Sequence, residues 1–271
     1  MRVTPLHRTT STGAVMRGSL YEAGSAAGGR RAGSGDLVVL HHGFGSTRTE
    51  ALGLFTGLAR LLCARGYAVA SFDRPGQGES DGDFEDITID SEIESAAGAV
   101  DWLCELPWLS GRAVHLLGMS MGGVIASVAA SRTRVPVASV VLWSPAAVFA
   151  DEFRAGTVQG RPFEDLERRG FVDFFGLRIS PAYVAAAVRF DPYEAARRYP
   201  GPVRVLHGAD DAIVPASYAR RYGDVLGDRA EVTLVAGADH GWGSVAARAT
   251  VYEETLRFLD RHHSSDADPA H

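Results

Sequence analysis

The chain contains no lysine, and each of its 27 basic residues other than histidine is arginine. That absence excludes a Ser-Lys dyad, a Schiff-base lysine and a P-loop lysine. Cysteine is nearly absent too. Cys63 and Cys104 both fall in predicted helices and read as buried free thiols, with no disulfide framework. No stretch approaches the ~20 apolar residues of a spanning helix. Met1 to Ser19 lack the apolar core of a secretory signal, so a cytoplasmic location is expected unless a leader has been removed. An excess of positive charge is also missing. The formal net charge of -6 argues against nucleic-acid or anionic-membrane partners. No cluster of His, Cys, Asp or Glu has metal-ligand spacing, so neither a metal nor an organic cofactor is expected. What remains is a 271-residue chain with 46% hydrophobic residues, long enough for one large α/β domain with a full core.

Strand-like and helix-like patterns alternate along it. Val3 to Thr10 and Ala14 to Tyr21 read as paired strands, and Glu22 to Gly35 as a mobile hairpin loop. Further strands are expected at Asp36 to His41, Tyr67 to Phe72, Ala113 to Leu117, Ala138 to Trp143, Val203 to His207 and Glu231 to Val235. Leu54, Leu58, Leu61 and Leu62 share one helical face, and Gly66 ends that helix. Helices are also expected over Gly123 to Ala130, Asp90 to Leu106 and Ala246 to His262, and the tail from Ser264 to His271 reads as disordered. Strands alternating with helices predict a mostly parallel twisted sheet covered on both faces. The segment Ala147 to Tyr199 breaks the alternation. It carries Phe149, Phe153, Phe163, Phe171, Phe174, Phe175 and Tyr183, and reads as a lid inserted in a single domain spanning 1–271, with some aromatics shaping an apolar acyl pocket.

Gly118-Met119-Ser120-Met121-Gly122 carries the chemistry. It follows an apolar strand and opens a helix of small residues, the context a nucleophile elbow requires. A serine in that sharp turn sits in strained backbone, so the positions two residues away must lack side chains. The new helix aims its N-terminal amides at negative charge forming above the sheet edge. Without lysine, the base for Ser120 must be a histidine or a carboxylate. His240, in a Gly-rich loop after the last strand, fits the chain order serine, acid, histidine. The acid belongs after Val203 to His207, where Asp210 and Asp211 both stand. Asp211 is preferred by position, leaving Asp210 to bond its own turn. The oxyanion donors are expected from the amide of Met121 (Met119 being the other neighbour) and from that of Phe44 in His42-Gly43-Phe44. Of the other histidines, His115 reads as a bonded core residue, His207 as a stiffener of the acid loop, His41 and His42 as unable to share a metal, and His7, His262, His263 and His271 as surface groups.

These pieces resemble the α/β-hydrolase superfamily over nearly the whole chain, most closely the cinnamoyl/feruloyl esterase group of bacterial hydrolases. The resemblance is carried by His42-Gly43-Phe44, by Phe72-Asp73 with Gly76-Gln77-Gly78-Glu79-Ser80-Asp81-Gly82, and by Gly118-Met119-Ser120-Met121-Gly122-Gly123. Ser144-Pro145-Ala146-Ala147, His207-Gly208-Ala209-Asp210-Asp211 and Gly237-Ala238-Asp239-His240 continue it. It implies an α/β-hydrolase fold and serine esterase activity on esters of hydroxycinnamic or other aromatic acids, with lid polar groups binding the ring hydroxyls. Gln159, in Thr157-Val158-Gln159-Gly160, looks like the matching lid residue, with Asp151 or Glu152 as its carboxylate partner. Gln77 departs from the pattern, since relatives commonly have His there, and the stretch Phe171 to Tyr183 is longer than expected. The partner implied is a small-molecule ester; a homodimer is left open. Thioesterase, lactonase, peptidase and acyltransferase readings keep the same three groups, and a ligand-binding protein without chemistry is the reading from a different class.

Overall fold

The central strand-forming runs are apolar on both faces, so they must be covered twice. In the computed structural model, which describes residues 1–24, 35–164 and 166–263, that is how they sit. The elements run β1 (Arg2–Thr9), β2 (Val15–Glu22), β3 (Leu37–His41), α1 (Leu54–Ala64), β4 (Ala68–Phe72), α2 (Ile89–Glu105), β5 (Val114–Met119), α3 (Met121–Ala129) and β6 (Val137–Trp143). A long insertion follows, with α4 (Val148–Arg154), the hairpin β7 (Thr157–Val158) and β8 (Arg161–Pro162), α5 (Leu166–Arg169), the hairpin β9 (Val172–Phe174) and β10 (Leu177–Ile179), α6 (Pro181–Arg189) and α7 (Pro192–Arg197). The chain closes with β11 (Val203–Gly208), α8 (Ala216–Leu226), β12 (Ala230–Val235) and α9 (Val245–Arg261).

Eight strands form one sheet in the order β1-β2-β4-β3-β5-β6-β11-β12. The β1–β2 hairpin joins β4 antiparallel, and the other pairings are parallel. Every residue of β3, β4, β5 and β11 is buried, as a doubly covered sheet demands. Two apolar clusters flank it. One packs α1 and α9 (Phe55, Leu58, Leu62, Val251, Leu259) around Trp143. The other packs α2, α3 and α8 (Ile93, Val100, Ile125, Tyr222). At the edge, β1 buries only Leu6 and exposes Arg2 and His7, a charged margin that discourages edge pairing. The chain runs from β3 to β4 on one side and then to β5 on the other. The crevice at the carboxyl ends of β3 and β5 is therefore a topological switch point, where open α/β sheets bind ligands.

The expected strands are all present, with ends differing by one or two residues. Helix α8 was not anticipated, although Ala219, Tyr222 and Leu226 are its buried stripe at helical spacing. Gly66 does end α1, at φ 93°, with its amide on the carbonyl of Cys63. Cys63 is buried and Cys104 half-buried, both free thiols. His115 is a bonded core group, with Nδ1 2.8 Å from Ser139 Oγ and Nε2 3.2 Å from Asp36. Most of the loop expected to be mobile (22–35) and the tail (264–271) lie outside the described residues. Among the described residues no helix is long and apolar enough to cross a membrane.

The sheet and α3 meet through glycine. A Cβ on Gly122 would run into the carbonyl oxygens of His41 and His42, and one on Gly118 into the backbone of Gly122. Overpacking against backbone cannot be relieved by a rotamer change. Gly122→Ala is expected to lower stability by about 1–3 kcal/mol, read as a reduced denaturant midpoint; an unchanged midpoint would show that this contact is not tight.

Candidate active site

β5 ends at Met119 and α3 starts at Met121, so Ser120 must reverse the chain alone. It does so at φ 56°, ψ -122°, a conformation costly for any residue with a side chain. Outside bonds hold it there. Its amide donates to the Trp143 carbonyl at 2.8 Å, and its carbonyl accepts from Gly123 at 2.9 Å and Ala146 at 3.1 Å. The hydroxyl is left half-exposed at the switch point.

His240 lies 120 residues away, in the turn after β12. That turn is anchored by Trp242, a fully buried indole at φ 57°. The Asp239 carboxylate caps it by accepting from the Gly243 amide at 2.7 Å. His240 Nε2 stands 3.0 Å from Ser120 Oγ, and Nδ1 stands 2.8 Å from Asp211 Oδ2. Asp211 sits in the turn after β11, and the amide of Asp210 ties this turn to the histidine turn through the Ala238 carbonyl at 3.0 Å. The second Asp211 oxygen accepts from the amides of Ile213 at 2.9 Å and Val214 at 2.8 Å. The turn-forming role expected of Asp210 therefore belongs to Asp211, whose two oxygens divide the work; Asp210 is exposed. Burial raises the Asp211 pKa, but the bonds from His240, Val214 and Ile213 outweigh it and hold the carboxyl below its usual range. His207 braces the same turn, its Nε2 2.8 Å from the Val214 carbonyl and 3.4 Å from Asp211 Oδ2. With a carboxylate on one ring nitrogen and a hydroxyl on the other, the His240 imidazole can take the hydroxyl proton and keep the resulting charge paired.

The loop after β3 forms the second wall. Gly43 packs so close to Ser120 that a Cβ there would lie 3.4 Å from the serine Cβ. The Gly43 amide donates to the Glu50 carboxylate and the Gly45 amide to Gln77 Oε1 at 3.0 Å. Among the described residues, the amides of Phe44 and Met121 have no protein acceptor.

Above the serine the inserted segment walls a pocket that is partly open to solvent. Phe44, Met121, Phe149, Phe153, Phe174 and Tyr183 make its apolar wall, and Glu152 and Gln159 are its charged and amide members. Some of the segment's seven aromatics were expected to shape it, and four do so. Phe163 backs Phe153 at 5.1 Å, Phe171 lies beneath Arg169 and Arg178, and Phe175 is exposed beneath Arg161. Asp151 is not among the lining residues. It binds Arg154 at 2.9 Å and the Tyr218 hydroxyl at 2.8 Å, because α4 turns adjacent side chains in different directions. Glu152 does partner Gln159, but through the backbone. Its oxygens accept from the amides of Gln159 at 2.9 Å and Gly160 at 3.3 Å, bracing a turn with Gln159 at φ 47°. Among the described residues no group of three or more His, Cys, Asp or Glu could hold a metal ion.

Sequence reasoning missed a buried set behind the loop: Arg74, Glu92 and the bonds of Gln77 and Tyr183 to that carboxylate. The one signal was the position of Arg74 and Gln77 within the turn after β4.

With this geometry the chain can be compared with known proteins. It belongs to the alpha/beta hydrolase family, whose model matches residues 38–254. A bifunctional esterase/perhydrolase of Acinetobacter calcoaceticus is 24% identical over 263 residues, covering 82% of this chain and 91% of that one. A non-heme chloroperoxidase of Streptomyces lividans is 28% identical over 243 residues, covering 75% and 84%. Among solved structures, Est1E from Butyrivibrio proteoclasticus with ferulic acid bound superposes with a TM-score of 0.82 at 22% identity, over 95% of this chain and 98% of that one. The protein is thus an α/β hydrolase with esterase-type relatives.

Burial holds three histidines of this region neutral. His41 is pushed down to about 3 from the usual 6.5, by burial and then by the charge of Arg74. His42 lies well below 6.5 and His207 below it, again with burial as the largest cause. A group whose folded pKa is depressed leaves the unfolded chain to bind the proton first, so stability falls as pH drops below 6.5. Each such histidine contributes about 1.4 kcal/mol per pH unit between 6.5 and its own folded value. Urea denaturation is expected to show a marked loss of stability from pH 7 to pH 5. A flat profile over that interval would contradict buried, neutral rings.

Proposed function

We propose that the protein is a serine hydrolase that cleaves carboxylic esters with an aromatic, hydroxycinnamoyl-type acyl group through an acyl-enzyme. The observation that carries this reading is the His240 ring, 3.0 Å from the Ser120 hydroxyl and 2.8 Å from Asp211, at the floor of an aromatic-walled pocket. Ser120 attacks the ester carbonyl while His240 Nε2 accepts its proton. Asp211 holds the ring in the tautomer with Nδ1–H and stabilises the imidazolium. The amides of Phe44 and Met121 take the developing oxyanion, each such donor being worth about 3 kcal/mol in the transition state. His240 then protonates the leaving alcohol, and a water deprotonated by the same ring releases the acid. The inserted segment acts as a lid, its phenylalanines taking the acyl ring and excluding water. The carboxylate of Glu152 and the side-chain amide of Gln159 are the groups there suited to a ring hydroxyl. The esterase-type relatives and the ferulic acid held by Est1E support the substrate class.

Ser120→Ala is expected to abolish hydrolysis of p-nitrophenyl esters with the fold intact by circular dichroism, and Asp211→Asn to lower kcat by roughly 10⁴-fold. Undiminished turnover by the Ser120 variant would defeat the proposal. A panel of hydroxycinnamoyl, short aliphatic, thioester, lactone and amide substrates tests the acyl specificity: kcat/KM should be highest for the aromatic oxygen esters. A preference for thioesters, lactones or amides would move the assignment to another acyl chemistry on the same residues.

A further inference from the structure

The mechanism leaves a buried ion pair unexplained. Arg74 and Glu92 are each 1% exposed, with Nε and Oε1 3.0 Å apart, and neither lines the pocket. Burying two charges is weak evidence for stabilisation, because desolvation offsets the attraction. Their contacts point instead to the loop after β3. The Arg74 guanidinium donates to the carbonyl of His42 at 2.8 Å and to that of Gly43 at 3.2 Å. The Gly43 carbonyl also lies 2.8 Å from His42 Nδ1, and His42 Nε2 faces the Arg74 amide at 3.1 Å. An amide can only donate, so Nε2 accepts and Nδ1 carries the proton. The Gly43 carbonyl is thus held by Arg74 and His42, with the Ser46 amide a longer third donor at 3.4 Å.

In a planar trans peptide the C=O and the following N–H point in opposite directions. Fixing the Gly43 carbonyl on Arg74 therefore turns the Phe44 N–H away from Arg74, in a loop whose Gly43 abuts Ser120. The amides on either side are committed to Glu50 and Gln77. At its far end Glu92 accepts from Gln77 Nε2 at 2.9 Å and from the Tyr183 hydroxyl at 3.1 Å. Tyr183 belongs to α6 of the inserted segment, lines the pocket, and has its ring 5.2 Å from that of Phe44.

We propose that Tyr183, Glu92 and Arg74 form a positioning relay through which the inserted segment sets the orientation of the Phe44 amide. Tyr183 is a positioning residue here, acting through Glu92 and Arg74, and the inference rests on the reading of Ser120 and Phe44 given above. Docking of α6 completes the oxyanion site, so a displaced segment costs transition-state stabilisation as well as pocket shape.

The test is Tyr183→Phe, which keeps the ring and removes one bond to Glu92. For p-nitrophenyl esters kcat should fall about tenfold with KM within about twofold of wild type, since a misaligned donor acts on the transition state. The affinity for an aryl trifluoromethyl ketone, which forms a tetrahedral oxyanion on the serine, should fall in parallel with kcat. Glu92→Gln should lower kcat similarly, and the double variant should lose less than the product of the two single losses; Tyr183→Phe decides alone if Glu92→Gln does not fold. An unchanged kcat, or a loss confined to KM with ketone affinity retained, would overturn the relay. Wild-type enzyme that takes no fluorophosphonate on Ser120 would instead overturn the hydrolase reading and the relay with it.

Discussion

The packing of Gly122 against the carbonyls of His41 and His42 is the contact on which the site depends. It brings the start of α3 against the end of β3, two elements 80 residues apart in sequence, at a separation that only a residue without a side chain permits. From that approach follows the closeness of Gly43 to Ser120. The positive φ of Ser120 is the strain that accompanies it, held by the bond to Trp143. The sheet supplies the rest. Parallel strands β5, β11 and β12 end at one rim, so the loops that follow them deliver serine, carboxylate and imidazole to a common place.

The residue types alone would not do this. Ser139, His115 and Asp36 also form a bonded row, at the opposite end of the same sheet. There the serine is in β6 beside a register shift against β5 and is wholly buried, its hydroxyl facing a core histidine. The contrast is one of setting: Ser120 has strained backbone, partial exposure and a pocket, partly open to solvent, above it.

Most of the framework was legible because it is written locally. The elbow, the Asp211 turn and the His240 turn each announce themselves by glycines and a strand-then-loop pattern, and parallel strands with apolar faces give the sheet. The order of the strands and the approach of β3 to α3 were not read from the sequence, since no local pattern encodes them. The inserted segment was the least legible part. Its aromatics are spaced for several short elements at once, and only tertiary packing separates Phe153, in the pocket, from Phe175, exposed beneath Arg161. Asp151 and Glu152 are neighbours that sequence could not tell apart, yet one faces Tyr218 and the other the pocket. The bond between Tyr183 and Glu92 spans 91 residues and joins two side chains that look unremarkable in isolation.

In the proposed mechanism Ser120 carries the acyl group between two half-reactions. Rapid-quench mass spectrometry of the intact protein during turnover of a p-nitrophenyl hydroxycinnamate addresses it most directly. A burst of nitrophenolate near one equivalent of enzyme is expected, matched by a transient mass increase of one acyl group that maps to the peptide containing Ser120. Turnover with no covalent adduct at any time, or an adduct on a different residue, would contradict it.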